Sequence, residues 1–178
     1  MYKTLIRPFL FKLNPESAHQ LTMKMLKIAG SIPFCRSIVR LIFKHEHKNL
    51  SREVFGIRFP NPVGLAGGLD KNGECYNELS DFGFGFVEIG SLTAKPQPGN
   101  PKPRLFRVVK DNAIINRMGI NNNGVSEAIK NINSKHPEVI IAGNIAPNSS
   151  SQGEQVAEDY KTAFSLLYDF VDMFVINI

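Results

Sequence analysis

From about residue 50 the chain alternates short apolar segments with stretches of helical period, and no other feature limits its possible folds so tightly. Residues 54–59 with 63–66, then 84–89, 139–144 and 173–178, read as strands, the later ones too apolar for a sheet with one face in water. Residues 73–82, 122–134 and 154–171 read as helices. This alternation predicts a parallel sheet covered by helices, and it leaves a doubly wound sheet and a (β/α)₈ barrel equally open. The last strand signal, Ile176-Asn177-Ile178, has no closing helix after it. Folded proteins avoid an edge of unpaired backbone groups, so the expectation is an incomplete sequence.

The first 50 residues follow another rhythm. Asn14 as N-cap, Pro15 at the first helical position, Glu16 in the first turn and Gly30 as stop delimit a helix whose apolar face holds Leu21, Met25 and Ile28. A second helix follows Pro33, with Phe34, Ile38 and Ile42 on one stripe and Arg36, Arg40 and Lys44 between them. The expected organisation is a small helical domain over residues 1–50 and an α/β domain over 51–178.

Charge divides along the same line. Residues 1–52 hold ten Lys/Arg against Glu16 and Glu46, 10 − 2 = +8, and residues 53–178 hold eleven against fourteen, 11 − 14 = −3. A basic amphipathic segment favours an anionic membrane surface, while the missing interleaving of aromatic and basic residues argues against nucleic acid. No run is long enough to cross a bilayer, and the start lacks the apolar core of a signal peptide, so the expected contact is peripheral, at the cytoplasmic face of the cell membrane. With 43% hydrophobic and 10% aromatic residues, disorder is not the default. Cys35 and Cys75 show neither disulfide-framework nor metal-ligand spacing, so no metal site is expected.

Three stretches carry candidate chemistry. In Gly64-Leu65-Ala66-Gly67-Gly68-Leu69-Asp70-Lys71, bare backbone lets a flat ligand approach and Lys71 sets a cation beside it; the same residues also make a tight strand-to-helix turn with a solvated lysine. The segment is neither a Walker loop nor a GxGxxG. Asn116-Arg117-Met118-Gly119-Ile120-Asn121-Asn122-Asn123-Gly124 concentrates amides that suit a ligand of ring amides and carboxylates, or that cap the next helix. Asn144 and Asn177 each end an apolar strand, where α/β folds bind ligands and where a buried amide needs partners. The proline-rich stretch Lys95–Arg104 reads as a stiff, extended connector.

Together these residues resemble the dihydroorotate dehydrogenases. The resemblance rests on Gly-Leu-Ala-Gly-Gly-Leu-Asp-Lys at 64–71, Glu-Ile-Gly-Ser-Leu-Thr at 88–93, Pro-Gln-Pro-Gly-Asn-Pro-Lys-Pro-Arg-Leu-Phe-Arg at 96–107 and Asn-Arg-Met-Gly-Ile-Asn-Asn at 116–122, in the order and spacing of that family. The opening residues 1–13 and Asn-Pro-Glu-Ser-Ala-His at 14–19 are similar to the N-terminal extension of its quinone-dependent class. The resemblance implies a (β/α)₈ TIM barrel, of which about the first half is present, preceded by a small helical domain. It implies oxidation of dihydroorotate to orotate in pyrimidine biosynthesis, with FMN as hydride acceptor and ubiquinone or menaquinone reoxidising it.

By position, the resemblance implies that Ala66, Gly67, Gly68, Leu69 and Asp70 line FMN, that Ser91, Asn144 and Asn177 also contact it, and that Lys71 serves both cofactor and substrate. Asn116, Arg117, Met118, Gly119 and Ile120, with Asn177, would hold the pyrimidine, and His19 and Arg107 would face the quinone. Ala146-Pro147-Asn148 departs from the family's Gly-Lys-Asn, so that lysine's role has no bearer here. The family's base, a serine in Ser-Pro-Asn, would follow Ile178, so the catalytic base is not expected within the chain, and the 178 residues alone are expected neither to turn over dihydroorotate nor to retain FMN. The competing expectation is a non-enzymatic, basic membrane-surface or interaction protein using the barrel half as scaffold.

Overall fold

A computed structural model describes residues 2–45, 47–133 and 139–178. Met1, Glu46 and residue 134, the last of the sequence-predicted helix over 122–134, lie outside the described residues. Helices α1 (Arg7–Lys12), α2 (Pro15–Gly30) and α3 (Pro33–Phe43) come first, α1 preceded by a π-helical turn over Tyr2–Ile6. Strands β1 (Arg52–Val54) and β2 (Ile57–Phe59) form an antiparallel hairpin. Phe55 and Gly56 both take positive φ at its turn, so the single strand expected over 54–59 is broken there.

The remaining elements are β3 (Gly64–Asp70), α4 (Tyr76–Ser80), β4 (Phe86–Leu92), β5 (Leu105–Val108), β6 (Ala113–Asn116), α5 (Val125–Asn133), β7 (Ile140–Ile145), α6 (Glu154–Leu167) and β8 (Met173–Ile176). Both α4 and α6 are shorter than their sequence patterns: Asp70 ties down the N–H groups of Glu74 and Cys75 at 2.8 Å before α4 begins, and α6 stops at Leu167. The hairpin β5–β6 was not anticipated, because its four-residue strands carry no long apolar run.

Strands β3, β4, β7 and β8 form one parallel sheet in their order along the chain. A doubly wound sheet would reverse direction at a switch point, so stepwise addition on one side is the pattern of a barrel wall. Val87, Ile89, Ile141 and Ile145 are buried against Val125, Ala128 and Ile132 of α5, Ala163 and Leu167 of α6, and Tyr76 and Leu79 of α4. The ladder shifts register between Leu65 and Asp70 of β3 and between Ile89 and Leu92 of β4. Both irregularities lie toward the C-terminal ends of the strands, where bulges re-aim backbone and side chains.

Helix α2 starts as its sequence dictates, with Asn14 Oδ1 accepting from Ser17 N at 2.8 Å. Its Gly30 is the last helical residue, not a left-handed stop. The glycine is needed for packing, since a Cβ there would meet Glu78 Cγ at 2.1 Å. Arg36 and Arg40 of α3 turn inward onto Asp81, which is 3% exposed, with Nε to carboxylate distances of 2.6 and 2.5 Å. Phe34 and Leu41 on the same helix are 72% and 83% exposed.

Candidate functional site

A cavity of about 510 Å³ opens where the C-terminal ends of β3 and β4 meet α2 and the β5–β6 hairpin. The sheet contributes Gly67, Gly68, Gly90 and Ser91, and the turn after β3 contributes Lys71. From α2 come Pro15, Glu16 and His19. The hairpin pairs Leu105 with Asn116 and Arg107 with Ile114, so alternation places these four on the cavity side and leaves Phe106 and Ile115 on the other. Met118, Ile120 and Asn121 complete the lining.

The polar groups are arranged by their neighbours. Lys71 Nζ donates to Asn121 Oδ1 at 2.8 Å; burial, then the charge of Arg104, pushes its pKa down, opposed by Glu16. Burial, then the charge of Lys71, lowers the pKa of His19, so its neutral imidazole is favoured at neutral pH. Ser91 Oγ accepts from Asn177 Nδ2 at 2.8 Å, and the Asn177 carbonyl accepts from the Tyr160 hydroxyl at 2.5 Å. Asn144 Nδ2 donates to Glu88 Oε1 at 2.5 Å, whereas its Oδ1 is buried and has no hydrogen-bond partner among the described residues.

That unsatisfied oxygen is the sharpest sign of a ligand, because buried acceptors are nearly always paired. Next to it, a Cβ on Gly67 would come within 2.6 Å of Glu88 Oε1 and 3.3 Å of Asn144 Nδ2, so only glycine leaves that rim bare. Gly68, at φ +97°, has open space where its side chain would be. A bare backbone rim, a free carbonyl and a cation fit a flat ring bearing N–H donors and an electron-rich edge. Among the described residues no three His, Cys, Asp or Glu side chains gather as a metal would require.

Of the residues singled out from sequence, His19, Gly67, Gly68, Lys71, Ser91, Arg107, Asn116, Met118 and Ile120 reach this one cavity. Leu69 and Asp70 lie instead on an adjoining cleft of about 380 Å³, shared with His19 and Lys71, and the Asp70 carboxylate is held by backbone N–H groups. Ala66 is exposed. Arg117 turns away, donating to Pro103 O at 3.0 Å, and Gly119 faces a separate groove beside the proline stretch. Asn144 and Asn177 do not line the cavity themselves: Asn144 stands next to the lining Gly67, bonded to Glu88, and Asn177 donates to the lining Ser91. Arg107 donates to the carbonyls of Leu13 and Leu10 at 2.7 and 3.2 Å and stacks 4.5 Å from the Phe11 ring, tying α1 to the hairpin.

Sequence reasoning did not single out Glu16, Glu88, Gly90, Leu105 or Ile114 as site residues, and it named Asn121 only as part of the amide loop. Glu88 and Asn121 lie inside recognisable motifs, but only the fold shows that each holds a neighbouring polar group in place.

The dihydroorotate dehydrogenase family model matches residues 49–178. Named relatives called dihydroorotate dehydrogenase (quinone) include one from Christiangramia forsetii, 49% identical over the whole chain and 52% of its own length. One from Methylococcus capsulatus is 40% identical over the whole chain and 51% of its length. The chain thus spans about half the length of these curated relatives. The crystal structure of DHODH from Eimeria tenella in complex with ferulenol superposes with a TM-score of 0.78 at 34% identity, covering 92% of this chain and 43% of that one. The ligand-free enzyme from the same organism gives 0.77, covering 92% and 45%. Sequential parallel strands, a glycine rim with its lysine and an amide loop at one cavity coincide with these matches: the chain belongs to the dihydroorotate dehydrogenase family and has the α/β fold of part of its TIM barrel.

Proposed function

We propose that this chain supplies the FMN- and substrate-facing wall of a quinone-reducing dihydroorotate dehydrogenase. The observation that carries the reading is the meeting of Gly67, Gly68, Lys71, Ser91, Asn116 and Ile120 at one cavity, beside the unsatisfied Asn144 Oδ1. FMN fits this donor set: Gly67 and Gly68 leave room for its ring, and Asn144 Oδ1 offers an acceptor to a ring N–H. When bound, FMN supplies the hydride acceptor for oxidation of dihydroorotate to orotate.

The chain's own residues bind and orient. Lys71 presents a fixed positive charge to the substrate carboxylate, within a cavity whose apolar lining strengthens the attraction. Asn116 sits where it can donate to and accept from the pyrimidine amides. On the α2 side, Pro15, His19, Leu105 and Ile114 give the cavity an apolar mouth suited to a quinone ring, with Arg107 on its wall. We assign residues 1–50 to a helical quinone and membrane domain and 51–178 to the barrel. The exposed apolar residues Phe34, Ile38, Leu41 and Ile42 of α3 support peripheral membrane contact, and no helix among the described residues is long and apolar enough to cross a bilayer.

The test joins residues 1–178 to the complementary segment of the Christiangramia forsetii relative. The expected protein retains FMN and reduces a dye with dihydroorotate; Lys71→Ala lowers kcat/KM by roughly a hundredfold or more, as loss of a charged contact in a dry site does. Deleting residues 1–50 lowers quinone reduction, while dye reduction at saturating dihydroorotate largely survives. A folded chimera that neither holds flavin nor oxidises dihydroorotate refutes the assignment.

A further inference from the structure

Arg104 is a buried charge that neither the cofactor rim nor the cavity lining uses. It is 6% exposed, and every nitrogen of its guanidinium donates a hydrogen bond. Its Nη2 and Nε donate to the two carboxylate oxygens of Glu16 at 2.7 and 3.3 Å, on the first turn of α2. Its Nη1 donates to the carbonyls of Pro98 and Asn100 at 2.6 and 3.0 Å. Its own carbonyl accepts from Arg117 N at 2.9 Å.

These bonds join two segments that line the cavity, α2 and the amide loop, through the proline stretch. Asn100, whose carbonyl Arg104 holds, donates from its backbone N to Met118 O at 3.0 Å and from Nδ2 to Arg117 O at 2.8 Å. The amide loop is thereby zipped along the proline stretch, and the stretch is fastened to α2 through Glu16. We propose that Arg104 is a positioning residue: one guanidinium fixes the α2 roof and the Asn116–Ile120 loop relative to each other, setting substrate affinity without touching substrate. Planarity and forked donors suit Arg to this task, and Lys offers a single point charge that cannot reach Glu16 and two carbonyls together.

The first experiment needs no activity. In the 178-residue chain, amide exchange is followed for Arg104→Lys, for the milder Glu16→Gln, and for the surface control Lys130→Ala. The expected result is at least about tenfold faster exchange at Asn100, Arg117 and Ala18 together, with β7 amides unchanged, as a local opening gives. Faster exchange confined to the proline stretch, or an equal rise in β7, overturns the proposal. The second experiment rests on the functional reading and uses the completed chimera. There Arg104→Lys raises KM for dihydroorotate about tenfold with kcat changed less than about twofold, the split expected when binding geometry loosens. A fall in kcat at unchanged KM overturns it. An unsubstituted chimera without activity counts against the functional reading alone, and the exchange result then decides on Arg104.

Discussion

The sheet and helices α1 to α3 beside it are held by different balances of the same forces. In the sheet, Val87, Ile89, Leu92, Ile141 and Ile145 are fully buried among helix side chains, so apolar burial dominates. In α1 to α3 only Ala18 is buried among the described residues; Met23 and Leu26 of α2 pack half-buried against the core, and charged or polar bonds supply the directional anchors: Asp81 to Arg36 and Arg40, Glu16 to Arg104, and Arg107 to the carbonyls of Leu10 and Leu13. A few directional anchors fix position and leave apolar surface for another partner, whereas interdigitated packing fixes position by filling space.

This contrast is open to direct attack, beginning with the sheet. Ile89→Ala leaves a cavity in the middle of the core and should cost about 3–4 kcal/mol in urea unfolding, with sheet and helix signals lost together. A loss below about 1 kcal/mol would show that the core is looser than its burial implies.

Asp81→Ala leaves two guanidinium groups without their shared carboxylate. Because Arg36 and Arg40 keep partial solvent contact, the expected cost is about 2 kcal/mol, with α3 amides exchanging before those of β4 and β7. If α3 and the sheet open in one step, the two regions are one cooperative unit and the contrast fails.

Acid should separate them more gently. Hydrogen bonds from Arg104 hold Glu16 below its ordinary 4.5; for Asp81, burial pushes upward but hydrogen bonds from Arg36 and Arg40 win, holding it below 3.8. A carboxylate with a depressed folded pKa contributes stability that is present above its unfolded value and lost as pH falls through the folded one. Exchange at α2 and α3 should therefore accelerate below those ordinary values while β7 stays protected, which exchange measured from pH 5 downward would check.

The smallest expected effect is on the outer face of α3. Phe34→Ser should change stability by less than about 0.5 kcal/mol while weakening binding to anionic lipid vesicles. Vesicle binding that survives it but vanishes in high salt would favour surface lysines over the apolar stripe.

Much of this arrangement was legible without coordinates. The strand and helix alternation was legible because period and turn chemistry act over a few residues, and the start of α2 because Asn14, Pro15 and Glu16 are local instructions. The glycine rim and amide loop announced themselves by composition. The β5–β6 hairpin did not, since alternation over four residues is too short to rise above background. Arg117 was expected at the pyrimidine, but it donates to Pro103 O away from the cavity, whereas Arg107, expected on the quinone side, lines the cavity and donates to the carbonyls of Leu10 and Leu13.

By itself the sequence determined the parallel strands and the helices, the family and the residue types available for binding, because those follow from neighbours in the chain, whereas the two short hairpins did not. Only the tertiary structure decided that the strands add stepwise as a barrel wall, that Arg36 and Arg40 point inward, and that Glu16 meets Arg104 across 88 residues. Strand order and ion-pair choice depend on closing long loops against a shared core, a balance of burial and chain entropy that no local window contains.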